Sequence, residues 1–224
     1  MAAAGCNAAD TGLVAAHHPV MTLTTTHLGA SAAIWLAAMM VAGAAMVTPN
    51  PPEPPAPIRY DADGKLLRPE YREWVFLGAG LDMTYGSRAA NAQPDHHMFT
   101  NVFVNPASYR AFVGSGRWPD KTIFMLEVRH TGTDRRPNKA GLFQVEAVGL
   151  EAHVLDAAKG GSRFYDFDGK SAGSPLAASS SCNTCHTEHG AVDNTFVQFY
   201  PELLTVAKAK GTLRPGFDAA PTAH

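Results

Sequence analysis

The stretch HHMFTNVFVNPASYRAFVGSGRWPDKTIFMLEVRH, residues 96–130, contains two strand patterns separated by a short helix pattern. Its two ends, residues 96–104 and 122–130, are rich in β-branched and aromatic residues and are bounded by turn-forming residues, as strands are. Between them, Asn105 can cap a helix, Pro106 suits its first position and Gly114 can end it. The stretch therefore predicts a strand, a short helix and a second strand.

The patterns that follow extend this arrangement. Residues 141–156 are typical of one long strand or two shorter ones, and residues 162–168 of another. The segment PELLTVAKAKG begins with Pro201 and ends at Gly211, which predicts a closing helix. Because no crossover helix of the length that parallel strands need is apparent, the predicted fold is α+β, mainly an antiparallel β-sheet with a few helices in a single domain.

The composition fits one globular domain with additional terminal segments. The chain has 224 residues, of which 46% are hydrophobic. The formal net charge is −2 and the basic residues are scattered, which argues against nucleic acid as a partner. Three cysteines are too few for a disulfide framework, and two of them lie together in one motif.

Residues 1–47 are predicted to be a signal peptide or an N-terminal membrane anchor. The run from Leu28 to Val47 is uncharged, mostly apolar and about long enough to span a bilayer, and it ends in small residues. No lysine or arginine precedes Arg59, so the basic region that usually opens a signal peptide is missing. We nevertheless expect export.

Three further segments complete the predicted organisation. The prolines of residues 48–57 favour an extended linker that cannot form a core. Residues 58–211 are expected to fold as the domain, and residues 212–224 to form a flexible tail.

Near the end of this domain, Cys182, Asn183, Thr184, Cys185 and His186 spell C-x-x-C-H, the pattern of c-type haem attachment. Thiols at this spacing can add to the two vinyl groups of one haem, and the adjacent imidazole can ligate the iron. Zinc is the main alternative, although a structural zinc site needs four ligands and the sequence has no second Cys or His pair of the required kind. A redox dithiol is the other, although the motif follows a Ser/Ala-rich loop instead of a strand. The motif favours one covalently attached haem c with His186 as metal ligand, and such haems are attached on the periplasmic side of the bacterial inner membrane.

Further motifs occur in order around C-x-x-C-H: YREW (71–74), VFVNPASY (102–109), WPDKT (118–122) and AVDNTFVQFYPEL (191–203). In this combination, roughly residues 59–208 resemble the cytochrome P-460 family, which includes the cytochromes c'-beta. The resemblance implies a mostly antiparallel sheet, usually a homodimer, and a five-coordinate haem c with an open distal side. Members of the family either oxidise hydroxylamine and nitric oxide or bind small gases.

One position distinguishes these two activities within the resemblance. Hydroxylamine-oxidising members carry, in the strand after the P-D-G-T turn, a lysine that bonds covalently to the haem, and Leu126 aligns with it. Strand alternation puts Phe124, Leu126 and Val128 on one face, where Phe124 and Leu126 would cap the haem with apolar groups or simply form core. Lys121 lies in the turn itself, where the family has glycine and where a solvated charge is the ordinary interpretation.

Other polar residues are weaker candidates for the distal side. A carboxylate on a strand could serve as a general base for hydroxylamine oxidation. The simpler expectation is that the three candidates, Glu127, Glu146 and Glu151, are surface residues. A distal His or Met ligand would make the protein a six-coordinate electron carrier. The simpler expectation is a structural role for each of the candidates, which are His96, His97, His130, His153, His189, Met83, Met98 and Met125.

Three function classes follow from these observations. The first is an exported haem protein that binds nitric oxide or other small gases. The second is an oxidoreductase that acts on hydroxylamine or nitric oxide, and the third is an electron-transfer cytochrome c with a periplasmic redox partner. The residue at position 126 favours the first.

Overall fold

The computed structural model describes residues 58–83 and 97–217. The predicted signal or anchor of residues 1–47, the predicted linker of residues 48–57 and residues 218–224 of the predicted tail lie outside the described residues. In the two described segments, no helix is long and apolar enough to cross a membrane.

The described residues form one antiparallel sheet with three α-helices. In chain order the elements are β1 (Leu66–Leu67), β2 (Val75–Leu81), β3 (Met98–Val104), α1 (Pro106–Ser115), β4 (Ile123–Gly132), β5 (Phe143–Asp156), β6 (Gly161–Asp166), β7 (Ala172–Pro175), α2 (Ser181–His189) and α3 (Pro201–Lys210). The strand order is β1-β7-β6-β5-β4-β3-β2, and each neighbouring pair is antiparallel. The predicted α+β fold, mainly antiparallel sheet, is confirmed.

Residues 96–130 form the predicted strand, helix and strand, with the boundaries shifted by one or two residues. β3 and β4 pair along their length, and α1 connects them. The helix continues past Gly114 and ends at Gly116, which has a left-handed φ of 72° and donates its N–H to the carbonyl of Phe112. Glycine tolerates this φ better than other residues, so Gly116 and not Gly114 is the helix cap.

Two strands show where local patterns were sufficient and where they were not. β5 is one continuous strand, so the single-strand interpretation of residues 141–156 is correct. β2 was not predicted, because its sequence VFLGAGL contains two glycines, which weaken a strand pattern. Pairing with β3, across a bulge between Phe76 and Gly78, forms this strand despite its composition.

The sheet separates two hydrophobic clusters. On the face that we call the helix face, Val104 and Phe124 pack with residues of α1, α3 and the segment after α2. On the opposite face, Met125 and Val154 pack with the chain that precedes β2, including Leu66 and Tyr71. Alternation along β4 therefore sends Phe124 to the helix face and Met125 to the opposite face.

The described beginning of the predicted tail contacts the domain. Leu213 and Phe217 are partly buried against the helix-face cluster. Between them, the N–H of Arg214 donates to the carbonyl of Ala191 at 2.9 Å. The segment 212–217 is thus joined to the residues that follow α2.

Candidate functional site

The C-x-x-C-H motif occupies α2, packed beside β6. Because residues three and four positions apart share a helix face, Cys182, Cys185 and His186 point to one side of α2. The two cysteines are half-buried and are not bonded to each other. Burial, and secondarily the charge of Glu188, raises the pKa of Cys185, so that thiol is protonated at neutral pH.

The imidazole of His186 is held in one orientation by a backbone acceptor. Its Nδ1 lies 2.8 Å from the carbonyl oxygen of Asn194. A carbonyl can only accept, so Nδ1 carries the proton and Nε2 is the nitrogen that can ligate a metal. Burial lowers the pKa of His186, partly offset by this hydrogen bond, and favours the neutral form that metal ligation requires.

Three further rings surround His186 on the helix face. The ring centroids of Phe196, His153 and Phe164 lie 4.1, 4.7 and 4.8 Å from that of His186. The enclosure is mostly apolar, because two of these three rings are phenylalanines. The third, that of His153, is stacked on Phe164 with a centroid distance of 4.3 Å. This environment screens one side of His186 from water.

His153 is the sequence candidate that the fold brings nearest to His186. It is buried, its Nε2 lies 3.1 Å from Ser162 Oγ, and burial places its pKa well below the usual value. Imidazoles that ligate one metal from opposite sides have ring centroids roughly 6 Å apart, given metal–nitrogen distances of about 2 Å. The observed 4.7 Å is shorter, so this arrangement makes His153 a neighbour of His186 instead of its counterpart across an iron.

The turn after α2 carries the acceptor for His186, and sequence reasoning missed its role. Asp193 and Asn194 both have left-handed backbone conformations, with φ of 47° and 58°. The carboxylate of Asp193 accepts hydrogen bonds from the Trp118 N–H at 3.0 Å and from Arg117 at 2.7 Å. Trp118 also donates its indole N–H to Thr195 Oγ1 at 2.9 Å. The motifs WPDKT and AVDNT are therefore in contact, and together they fix the Asn194 carbonyl.

Replacing Gly190 with alanine is expected to disrupt this turn. A Cβ at Gly190 would lie 2.6 Å from both the Asn194 carbonyl carbon and the His186 oxygen, which are backbone atoms that cannot move aside cheaply. We expect a loss of about 2 kcal/mol or more in unfolding free energy. Denaturant unfolding of the holo-protein, followed by circular dichroism, measures it.

Gly114→Ala is the matched control for this substitution. Gly114 lies within α1 and a Cβ there meets nothing within 4 Å, so alanine should stabilise the protein by about 0.5 kcal/mol or more. Equal effects of the two substitutions would contradict a special role for the turn.

The predicted distal residues lie on the same sheet face as His186, two positions apart on β4. Phe124 is buried and packs against Trp118 and His153, with centroid distances of 4.8 and 5.7 Å. Leu126 is half-buried and pairs across the sheet with Val102 and with Glu151. Leu126 thus lies farther from the packed core than Phe124 does.

Lys121 extends away from this face. It has a left-handed φ of 66°, and its Nζ forms an ion pair with Asp156, which is buried on the opposite face. Tyr60 donates a hydrogen bond to the same carboxylate at 3.0 Å. The hydrogen bond to Asp156 raises the pKa of Lys121, so the ammonium form is favoured.

The three carboxylate candidates differ in their burial and in the sheet face on which they lie. Glu146 is exposed, as predicted for a surface residue, and Glu151 is half-buried on the helix face. The surface interpretation is wrong for Glu127, whose side chain is 1% exposed and which lies on the opposite face, where Tyr71 and two arginines bind it. A residue there cannot act as a base on the side of His186.

Three of the remaining histidine and methionine candidates have other partners or surroundings. His97 pairs with Asp82 at 2.6 Å, and His189 is exposed beside Glu188. Met125 is fully buried on the opposite face. His96 lies outside the described residues.

The donor set of α2 fits haem c. Two thiols and one imidazole share a helix face, and the Asn194 carbonyl selects the imidazole tautomer that leaves Nε2 for a metal. In residues 58–83 and 97–217, no three or more His, Cys, Asp and Glu side chains, those of α2 included, converge on a point where they could hold a bare metal ion.

Comparison with known proteins agrees with this geometry. No curated protein matches the chain. The family model of Cytochrome P460 matches residues 69–197, more than half of the chain, and this range includes β2 to β7, α1 and the whole of α2. The chain therefore belongs to the cytochrome P460 family and is a haem protein of that family.

Proposed function

We propose that this protein carries one haem c, bonded through Cys182 and Cys185 and ligated by His186, and binds nitric oxide or another small gas on the open side of the iron. The bound haem supplies the metal centre for the gas. The chain supplies an oriented imidazole on one side and, through Phe124 and Leu126, apolar contacts on the sheet. Such contacts accommodate a neutral diatomic molecule and offer it no proton.

The observation that supports gas binding is that neither position 126 on β4 nor position 121 in the turn before it offers a lysine that is available to bond to the haem. Leu126 occupies the position where hydroxylamine-oxidising relatives, by the resemblance, have the cross-linking lysine. Lys121, the nearby alternative, is held by Asp156 on the opposite face of the sheet. Both facts support a haem attached only through the two cysteines.

An oxidoreductase acting on hydroxylamine or nitric oxide is the second candidate. Glu151 favours it, because this half-buried carboxylate is paired across the strands with Leu126 on the helix face. A carboxylate near the iron could accept the protons that leave hydroxylamine when it is oxidised.

We expect the purified ferrous holo-protein to bind carbon monoxide and nitric oxide and to turn over hydroxylamine poorly. Gas titrations followed by visible spectra and a steady-state assay with an artificial electron acceptor measure the two activities. Mass spectrometry of haem peptides tests the bonding, and Lys121→Met should leave the haem-peptide mass unchanged.

Three outcomes separate the candidate functions. Steady hydroxylamine oxidation that Glu151→Gln abolishes would establish the enzyme. A third covalent bond to the porphyrin that Lys121→Met removes would overturn the open, uncross-linked site. A low-spin six-coordinate spectrum without gas binding would indicate an electron-transfer cytochrome.

The proposal places the haem domain in the periplasm, either released or tethered to the inner membrane by residues 1–47. The apolar run of residues 28–47 and the compartment in which haem c is attached support this location. The family resemblance supports a homodimer, and a periplasmic electron-transfer partner would reduce the haem.

A further inference from the structure

The carbonyl end of α2 is held by a residue from the end of the described chain. The last carbonyls of a helix have no partner within the helix. Nη1 of Arg214 donates to the carbonyls of Thr187 and Gly190 at 2.7 and 3.1 Å. One guanidinium group thus bridges the last turn of the C-x-x-C-H helix and the first residue beyond it.

Several contacts fix the position of Arg214 itself. Its own N–H donates to the Ala191 carbonyl at 2.9 Å, and its guanidinium group lies 5.9 Å from the ring centroid of Phe217. Leu213 and Phe217 pack against the helix-face cluster. The segment is therefore joined to α2 by both backbone and side-chain interactions.

These contacts lie within the segment that joins the two ends of the hydrogen bond that orients His186. The Gly190 N–H donates to the His186 carbonyl at 2.9 Å, and the chain continues from Ala191 to Asn194, whose carbonyl accepts from His186 Nδ1. A shift of residues 187–191 would move the imidazole relative to its acceptor. Arg214 holds the carbonyls at positions 187 and 190, within the segment that joins His186 to Asn194.

We propose that Arg214 is a positioning residue that fixes the orientation of His186 as iron ligand. Hydrogen bonding to the second nitrogen of a ligating imidazole sets its orientation and its basicity towards the metal, so a looser turn weakens both. The inference rests on the proposed ligation of iron by His186. It assigns a role to a residue outside the range, 69–197, that the family model matches.

Resonance Raman spectroscopy of the ferrous holo-protein tests this role through the iron–histidine stretching band. Arg214→Gln should shift the band to lower frequency and broaden it, because the imidazole becomes less basic and less uniformly oriented. Arg214→Lys should give a smaller shift, since an ammonium group retains the charge and can donate to a carbonyl but does not reproduce the position of the guanidinium Nη1. Arg110→Gln removes the same charge from an exposed position on α1 and should leave the band unchanged.

The unfolding midpoint, measured on the same samples, separates positioning from stability. A lowered midpoint with an unchanged band in Arg214→Gln would overturn the proposal, because Arg214 would then only stabilise the fold. If Arg214→Gln does not accumulate, an unchanged band in Arg214→Lys overturns it equally. A wild-type protein without any iron–histidine band would instead contradict the proposed ligation by His186.

Discussion

Replacing Cys182 and Cys185 together with alanine is expected to abolish covalent haem attachment. The two thiols lie three residues apart on one face of α2, next to the imidazole of His186, and no other cysteine lies in the described residues. Without them, no thioether can form at this helix. Acid-acetone extraction followed by mass measurement of the polypeptide, after expression with the haem c maturation machinery, measures the loss.

Single substitutions provide the controls for this experiment. Cys182→Ala and Cys185→Ala should each retain one thioether, which changes the spectrum of the pyridine complex of the haem without releasing it. His186→Ala should retain both thioethers and lose the axial imidazole, so its spectrum should change while the mass that the bound haem adds to the polypeptide does not. Haem that survives extraction in the double variant would contradict attachment through the motif.

Arg129→Met is expected to cost about 3 kcal/mol of unfolding free energy, because it leaves a buried carboxylate without one of its charged partners. Glu127 is 1% exposed and accepts hydrogen bonds from Tyr71 and from Arg129, while Arg72 pairs with it at 2.6 Å. Arg72 is more than half exposed, so solvent screens it and it compensates for only part of the loss. Denaturant unfolding measures the change, and Arg110→Met, at an exposed position on α1, is the matched control.

The double variant Glu127→Leu/Arg129→Met makes this prediction specific. Removing the carboxylate together with its partner leaves no uncompensated buried charge, so the double variant should be more stable than Arg129→Met alone. Additive losses would show that the two residues act independently, contrary to their contact.

The charged and hydrogen-bonded groups around Glu127 also make the stability of the protein depend on pH. Burial alone would raise the pKa of Glu127, but hydrogen bonds from Arg129 and Tyr71 and the charges of both arginines outweigh it, so the pKa lies below the usual 4.5. This contribution to stability is present above the unfolded-state pKa and is lost as pH falls through the folded-state pKa. Burial and the hydrogen bond to Glu127 raise the pKa of Tyr71 from 10.0 to about 12, so its contribution is lost as pH rises through that value. Tyr71→Phe should remove the alkaline loss and weaken the acid one.

The contrast between Glu127 and Glu146 shows the limit of single-strand patterns. Both are strand carboxylates, and surface exposure was the ordinary interpretation for each. Glu146 is exposed, but Glu127 is buried because Tyr71, fifty-six positions away in the sequence, and two arginines satisfy its charge. Arg129 was a usable signal, since residues two apart on a strand share a face, whereas the contribution of Tyr71 could not be inferred from local sequence.

His186 shows the same division at the candidate site. Adjacent spacing of two cysteines and a histidine was enough to predict the donor set, because the reacting groups are neighbours in the chain. The Asn194 carbonyl as acceptor, the rings of His153 and Phe164, and the bridge from Arg214 come from elements that meet only after folding. The direction of Lys121 was equally undetermined, because it depends on the buried Asp156.

By itself, the sequence determined the succession of the central strands and helices along the chain, the antiparallel sheet and the C-x-x-C-H donor set, because propensity, periodicity and spacing act over a few residues. It was insufficient for β2, whose glycine-rich chain becomes a strand only by pairing with β3. Only the tertiary structure decided which charges are buried, which carbonyl orients His186 and which residues hold that carbonyl in place. These depend on contacts between distant segments, and the free energy of a buried polar group depends on the partners that those contacts bring to it.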